Sequence, residues 1–314
     1  MPRQSKSALW PGMVIGVVLV AATTFLVVKT THTVATSNSA SSDHSTQTVA
    51  PTHSATGGPS PHATSKSRST TLTSAMPAGP WVLTWDDEFK STAGLSRWSF
   101  VSGSVIGGSG GTHPLHELQW WDQSNATVSN GNLVLAATKG LNGHSCWYGQ
   151  CDYTSVRMMS TFSQTYGLYE ARIKLPAGQG IWPAFWMQGT QYSTDPVGAG
   201  EIDIAEQNNR PPLDRLGGYT HTAQGIDYFY HWMSEPVSAS YHVYGIAWTP
   251  SRITFFVDGT PYGHLDAYPG WPYNHPFNII LSLAVGGGWP GPPTASTHFP
   301  VRMYINWLRV YKHG

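Results

Sequence analysis

Short segments in which apolar and polar residues alternate begin at Trp81 and continue to the end of the chain. A period of two is typical of strands that bury one face, and Gly, Pro, Asn and Asp between the segments are turn residues. Asp258-Gly259 is a hairpin signal. No capped segment of helical period exceeds about two turns. The pattern therefore predicts an all-β sandwich or barrel, and its clearest strands are 132–137, 167–174, 252–257, 278–285 and 303–311.

The start of the chain has a different pattern. Arg3 and Lys6 precede residues 8–28, which contain no charged side chain. These 21 residues would form a helix of about 31 Å, which is long enough to span a bilayer. Residues 1–30 are therefore predicted to be a signal peptide or a transmembrane signal-anchor, and the length favours the uncleaved anchor. Because the basic residues come first, we expect the rest of the chain outside the cell, at its surface or, after cleavage, extracellular.

Residues 31–79 have the composition of a disordered linker rich in Ser, Thr and Pro. Between residues 36 and 79 there is no Phe, Trp or Tyr, and 20 of these 44 residues are Ser or Thr. Such a segment buries too little apolar surface to fold. The aromatic residues that follow place one folded domain at residues 80–314.

Charge narrows the range of partners. The chain has 17 basic and 17 acidic side chains, and only 11% of its residues are charged, against about 25% in ordinary soluble domains. Residues 80–314 carry 12 basic and 16 acidic side chains, so the basic stripe of a nucleic-acid binder is absent. An exported domain with few charges and many aromatic residues suits neutral polar ligands such as sugars. We expect it to be a monomer.

The two cysteines, Cys146 and Cys151, are separated by four residues. An exported protein can form disulfides, and we favour a disulfide that closes a local loop. A metal site is the alternative, but two cysteines alone do not complete a zinc shell.

Three carboxylates lie close together in a segment with the pattern of a strand. Side chains alternate faces along a strand, so Glu201 and Asp203 share a face, and the intervening Ile faces the core. Glu206 would point into the core of a regular strand, whereas a β-bulge at 204–205 would return it to the face of Glu201. Three carboxylates on one face repel one another, and such arrangements tend to be functional.

Glycoside hydrolysis gives a chemical reason for this arrangement. Retaining hydrolysis needs a carboxylate nucleophile and a carboxylic acid about 5–5.5 Å apart. A third carboxylate between them can hydrogen-bond to the nucleophile and keep the acid protonated. The alternatives are a solvated strand face and a calcium site, although calcium takes its ligands largely from loops.

The segment from Glu201 to Glu206 resembles the active-site signature of glycoside hydrolase family 16, in the bulged form that has five steps between the two Glu. The resemblance extends over essentially the whole of residues 80–314. Further blocks that resemble that family, in the same order, are 85–89, 116–120, 153–157, 180–186, 248–250, 257–259 and 284–291.

This resemblance implies a β-jelly-roll sandwich with a substrate cleft along the concave face of one sheet. The bulged signature and the Gly-Gly-x-Trp-Pro-Gly block at 286–291 are most similar to endo-β-1,3-glucanases, or laminarinases. Lichenases and xyloglucan-active enzymes have the unbulged form and are disfavoured. Agar- and carrageenan-active members are bulged too, but sulfated chains would favour more Lys and Arg than this domain has.

The resemblance also implies residue roles. Glu201 resembles the nucleophile, Glu206 the general acid/base and Asp203 the assisting carboxylate of a two-step retaining mechanism. Residues that resemble sugar platforms, with core packing as the alternative, are Trp182, Trp186 and Trp289. Residues that resemble polar groups of the cleft, with an ordinary structural role as the alternative, are Glu117, Gln119, Arg157 and His221.

No cofactor is required by this chemistry. The resemblance implies a structural calcium ion on the opposite face, near Glu88 and Gly131, but Asn306 stands where an Asp ligand is common and weakens that site. We expect a retaining endo-glycosidase that cleaves β-1,3-glucan. The alternatives are a family 16 hydrolase or transglycosylase acting on another β-glucan or galactan, and a non-catalytic glucan-binding module.

Overall fold

A computed structural model describes residues 79–104, 115–140, 143–195 and 198–314. The predicted hydrophobic segment at 1–30 lies outside the described residues, and so does the predicted linker at 31–79 except for its last residue. Within the described ranges, no helix is both long enough and apolar enough to cross a membrane.

Strands form most of the described chain. The helices found there are two short 3-10 helices, Thr92–Arg97 and Gln123–Asn125. The all-β prediction is therefore confirmed. In chain order the strands are β1 (Trp81–Asp87), β2 (Trp98–Phe100), β3 (Gln119–Trp121), β4 (Ala126–Ser129), β5 (Asn132–Lys139), β6 (Ser145–Cys146), β7 (Gly149–Gln150), β8 (Tyr153–Ser155), β9 (Arg157–Gln164), β10 (Gly167–Lys174), β11 (Ile181–Gly189), β12 (Glu201–Glu206), β13 (Arg215–Thr222), β14 (Gly225–Trp232), β15 (His242–Thr249), β16 (Arg252–Val257), β17 (Thr260–Asp266), β18 (Phe277–Val285) and β19 (Val301–His313).

These strands form two large sheets and one small hairpin. The front sheet has the order β14-β13-β12-β11-β18-β9-β2. The back sheet has the order β17-β16-β15-β10-β19-β5-β8-β3, with β1 paired to β19 and β4 to β5. The hairpin is β6-β7; Cys146 ends β6, and Cys151 follows directly after β7. Pairing is antiparallel throughout these sheets except between β3 and β8.

One apolar core lies between the front and back sheets. Ile202 and Ile204 of β12 are fully buried in it, as are Tyr169 and Ile246 of the back sheet. Because side chains alternate along a strand, burying these residues turns their neighbours to the outer face of each sheet. The outer face of the front sheet carries the candidate site.

The strongest sequence patterns correspond to strands in the structure. The predicted strands 167–174 and 252–257 match β10 and β16, and 278–285 lies in β18. Asp258 and Gly259 both have positive φ, 48° and 75°, between β16 and β17. Positive φ at both central residues is what a type I′ hairpin turn requires.

Candidate active site

A β-bulge in β12 brings the three carboxylates to one face. Across β11, Asp203 pairs with Trp186 and Ala205 with Phe185, so Ile204 is an extra residue. On the other side, Asp203 pairs with Tyr219 and Glu206 with Gly217, which again leaves one extra residue in β12. The bulge is at the predicted position, and it turns Glu206 to the same face as Glu201 and Asp203.

All three carboxyls are largely removed from water. Asp203 is 1% and Glu206 9% exposed. Burial, followed by the charge of Asp203, raises the pKa of Glu201 to about 8. Burial also raises the pKa of Asp203, and burial together with the charge of Asp203 raises the pKa of Glu206 well above its ordinary value. The group can therefore hold protons at neutral pH and exchange them with a ligand.

One N–H donor and one imidazole nitrogen approach this group from neighbouring strands. Trp182 Nε1 in β11 donates a 2.9 Å hydrogen bond to Oε1 of Glu206. In β13, His221 Nε2 lies 2.9 Å from Oδ2 of Asp203 and 4.0 Å from Oε1 of Glu201. The hydrogen bond from Trp182 lowers the pKa of Glu206, and the charge of His221 lowers the pKa values of Glu201 and Glu206, against the rise that burial causes. The structure thus places His221 and Trp182 in direct contact with the predicted catalytic residues.

Two of the three tryptophans predicted as sugar platforms lie together. Gly286 and Gly287, with φ values of 72° and 118°, turn the chain after β18 in a conformation that L side chains rarely adopt. This turn places Trp289 edge-on to Trp182, with ring centroids 5.1 Å apart. Both rings are partly exposed, as a stacking surface requires.

Trp186 has a different environment. It lies on the outer face beside Asp203 but is only 8% exposed. The guanidinium of Arg157 covers its ring at 4.4 Å, and its Nε1 donates to Ser282 Oγ at 3.2 Å. The guanidinium of Arg157 therefore faces the site, and the Trp186 ring packs beneath it instead of offering an open stacking surface.

Glu117 and Gln119 form a buried polar pair at the other end of the site. Gln119 Nε2 donates to Oε2 of Glu117 at 2.9 Å, and Gln119 Oε1 accepts from the backbone N–H of Val285 at 2.7 Å. Gln119 is 1% exposed, and its amide makes both hydrogen bonds within the protein. Its role is therefore to orient Glu117. Burial raises the pKa of Glu117, while the charge of Arg157 opposes that shift.

Comparison with known proteins identifies the family. Residues 116–309 match the model of Glycosyl hydrolases family 16. A β-glucanase of Rhodothermus marinus is 32% identical over 265 residues, which cover 74% of this chain and 85% of that protein. The chain belongs to glycosyl hydrolase family 16.

A solved structure and a second curated protein are also similar to this chain. The laminarinase catalytic domain of Thermotoga maritima superimposes with a TM-score of 0.68 at 36% identity, covering 74% of this chain and 99% of that domain. This likeness confirms the predicted jelly-roll sandwich. The α subunit of clotting factor G from Tachypleus tridentatus is 34% identical over 74% of this chain, a match that spans only 34% of that protein. As a family 16 member, the chain is an O-glycosyl hydrolase.

Tyr219 is a residue of the site that the sequence motifs do not include. This residue pairs with Asp203 on the outer face, and its ring lies edge-on to Trp289, with centroids 5.8 Å apart. Burial, followed by the charge of Glu206, raises the pKa of its phenol, so Tyr219 stays a neutral donor near the carboxyls. The signal was available, since Tyr219 stands two residues before His221 and therefore shares its face.

Trp147, on the disulfide hairpin, is a second aromatic residue near the site that was not predicted from the sequence. Cys146 and Cys151 form a disulfide with an S–S distance of 2.03 Å. Within the loop that it closes, Trp147 Nε1 donates to the Glu117 carbonyl at 2.7 Å, and Tyr148 OH donates to the Leu118 carbonyl at 2.6 Å. Trp147 remains 44% exposed beside the Glu117 segment. The hairpin therefore packs an aromatic surface against one end of the site.

The residues at the implied calcium site do not fit a cation. Asn306 donates its amide to the Gly131 carbonyl at 3.0 Å, and its Oδ1 accepts from Arg172 at 3.2 Å. Glu88 is paired with Arg309 at 2.7 Å. The Gly131 carbonyl and Asn306 Oδ1 thus accept hydrogen bonds from N–H groups, and the guanidinium groups of Arg172 and Arg309 bring two cations to this region. A second group of possible metal ligands in the described chain is Glu201, Asp203 and His221, whose ligand atoms lie within 4.8 Å of one another. In this group His221 Nε2 and Asp203 Oδ2 contact each other directly at 2.9 Å.

Proposed function

We propose that this chain is a retaining endo-glycosidase that cleaves β-1,3-glucan of the laminarin type. The observation that carries the proposal is the bulged β12, which aligns three buried carboxyls with raised pKa values on one face. Relatives named β-glucanase and laminarinase support the choice of substrate.

In the first step Glu206 gives its proton to the glycosidic oxygen while Glu201 attacks the anomeric carbon. The bond to the leaving sugar breaks, and a glycosyl ester forms on Glu201. In the second step Glu206, now a carboxylate, takes a proton from water as the water oxygen attacks the anomeric carbon, and the ester bond breaks to release Glu201 as a carboxylate. Two displacements at one carbon return the original configuration, and both carboxyls regain their starting states.

Asp203 and His221 keep the nucleophile, Glu201, free of a proton. Burial favours protonation in this group, yet Glu201 must be a carboxylate to attack. A proton on Asp203, which lies beside Glu201 and against His221 Nε2, leaves Glu201 charged. The hydrogen bond from Trp182 to Glu206 similarly stabilises the carboxylate that remains after proton transfer.

The aromatic rings supply the sugar-binding surfaces. A pyranose has an apolar face of C–H groups, which an exposed indole or phenol ring can cover while the hydroxyls stay hydrated. Trp182, Trp289 and Tyr219 form such surfaces next to Glu206 and Asp203. The guanidinium of Arg157 and the carboxyl of Glu117 supply polar partners for hydroxyls on the side of β9.

We also place the protein outside the cell. The uncharged segment 8–28, the Ser/Thr-rich residues that follow it and the disulfide all suit an exported protein. Protease treatment of intact cells tests this placement, because a surface-anchored domain would be released and a cytoplasmic one would not.

Reducing-end release from laminarin by the full-length protein tests the activity. We expect turnover that falls at least about a thousandfold in Glu201→Gln and Glu206→Gln, because each substitution removes one chemical step. Lichenan, agarose and xyloglucan serve as parallel substrates. Cleavage of one of these instead of laminarin would retain the mechanism and reject the substrate. Glucan binding without any turnover would favour the non-catalytic module.

A further inference from the structure

Strand β14 displays a row of large apolar side chains to solvent. Ile226, Tyr228, Tyr230 and Trp232 are 46%, 64%, 37% and 58% exposed. In the second half of the strand they alternate with the partly buried Phe229 and His231, and Phe229 stacks on Phe255 at 5.1 Å. The strand is therefore anchored through one face, and the exposed row occupies its other face. Such a concentration of exposed apolar side chains is unusual for a surface without a binding partner.

The row lies on the same face as the candidate site. Tyr228 pairs with Tyr219, which in turn pairs with Asp203. Ile226 pairs in the same way with His221, the partner of Glu201. Neighbouring strands are about 4.8 Å apart, so the row lies roughly 10 Å from the carboxyls.

A series of aromatic contacts connects the row to the site. Trp182, the donor to Glu206, meets Trp289, and Trp289 meets Tyr219. Tyr219 meets Tyr230 with ring centroids 6.1 Å apart, and Tyr230 meets Tyr228 at 5.5 Å. The aromatic surface thus continues without a break from the acid/base carboxyl to the last strand of the front sheet.

The chemistry of the row favours a neutral polysaccharide. In β14 the acidic residue, Asp227, alternates away from the row, and the cation at the row is Arg215, which covers Tyr230 at 4.5 Å. Tyr and Trp rings offer apolar faces together with polar edges, the combination that suits stacked sugar units. We infer that Ile226, Tyr228, Tyr230 and Trp232 form a platform that binds the glucan chain where it extends past Tyr219 and His221.

This inference rests on the proposed function, because it takes the ligand to be the same β-glucan. The platform would add affinity for long chains without touching the reacting bond. Its loss should therefore raise KM for laminarin by roughly tenfold, while kcat changes much less.

Laminarin binding to full-length Glu206→Gln protein, measured by titration calorimetry, tests the platform. Adding Tyr228→Ala and Trp232→Ala should weaken binding by roughly tenfold. Tyr228→Phe with Trp232→Phe keeps both rings and should bind within about twofold of the parent. The control is Leu83→Ala, which removes a residue of similar exposure from the back sheet and should leave binding unchanged.

Several outcomes would overturn the platform. Unchanged laminarin binding in the double alanine variant would do so, and so would a loss shared equally by the Leu83→Ala control. If sedimentation instead showed that the double variant dissociates a dimer while laminarin binding is kept, the row would be an interface between copies. Failure of the wild-type protein to cleave laminarin rejects the proposed function, whereas cleavage with unchanged KM in the double variant rejects only the platform.

Discussion

The arrangement of Glu201, Asp203 and Glu206 that we propose for catalysis has a cost in stability. Burial and mutual repulsion disfavour their charged forms and raise their pKa values. At a pH between the ordinary and the raised value, the folded protein binds more protons than the unfolded chain. The free energy of unfolding therefore falls as the pH rises through that interval.

Glu201→Gln should remove part of this pH dependence. Below about pH 4.5 the carboxyl is neutral in both states, so variant and wild type should differ little. Toward pH 8 the wild type loses up to about 1.4 kcal/mol per unit of pKa shift, and the variant should become more stable by several degrees in Tm. Thermal unfolding at about pH 4.5, 6 and 8 measures this difference. A difference in Tm between variant and wild type that does not change with pH would contradict this prediction. The control is Leu83→Ala, which removes no titrating group and should shift Tm equally at each pH.

Asn306 should make the fold independent of calcium. Its amide donates to the Gly131 carbonyl, and Arg172 donates to its Oδ1. Chelation with EDTA should therefore move Tm by less than about 1 °C, since no bound ion is lost. Asn306→Ala should lower stability by about 1 kcal/mol, because it leaves that carbonyl without its donor. A fall of several degrees on chelation, reversed by added calcium, would show that a cation site exists.

At the scale of elements, the bulge of β12 determines which face Glu206 occupies. Ile204 is the extra residue relative to β11, and β12 also has one extra residue relative to β13 between Asp203 and Glu206. A strand without it would have regular alternation, which would turn either Glu206 or the Glu201–Asp203 pair into the apolar core.

Deletion of Ile204 should abolish activity and destabilise the fold by several kcal/mol, because a carboxyl would be buried without a partner. Ile204→Val keeps the bulge and should cost only about 0.5–1.5 kcal/mol, with laminarin turnover retained. Laminarin turnover and chemical denaturation of both variants measure these effects. Retained activity in the deletion variant would show that the bulge does not align the carboxyls.

The disulfide hairpin should affect binding more than chemistry. Its Trp147 and Tyr148 hold the Glu117–Leu118 backbone, which lies away from the reacting carboxyls. Cys146→Ser with Cys151→Ser should lower stability by about 2 kcal/mol, given the short loop. KM for laminarin should rise several-fold with little change in kcat. A fall in kcat with unchanged KM would assign the hairpin a different role.

The local pattern was sufficient to predict β10, β16 and the outer-face position of the carboxylates, because alternation is written in consecutive residues. It was insufficient for Tyr219 and Trp147, whose importance depends on which strands become neighbours. Pairing between strands distant in sequence is set by the whole core, not by local alternation. Trp186 and Gln119 show the same limit, since their burial depends on Arg157 and on the end of β18.

In the whole molecule, the two large sheets have different roles: one supports the fold and the other carries the site. The back sheet and the apolar core hold the front sheet rigid, and the front sheet presents carboxyls, aromatic rings and the β14 row on one outer face. Residues placed on packed strands keep their geometry better than residues on loops. This division predicts that substitutions on the outer face of the back sheet affect neither KM nor kcat.

The stereochemistry of the first product distinguishes a retaining reaction at Glu201 from an inverting one. Laminarin cleavage by the full-length protein can be followed by proton NMR of the newly formed reducing end before mutarotation proceeds. Our account predicts that the β anomer appears first and that the α anomer follows only as equilibrium is approached, because two displacements retain configuration. Initial appearance of the α anomer would show a single displacement and would contradict the assignment of Glu201 as the nucleophile.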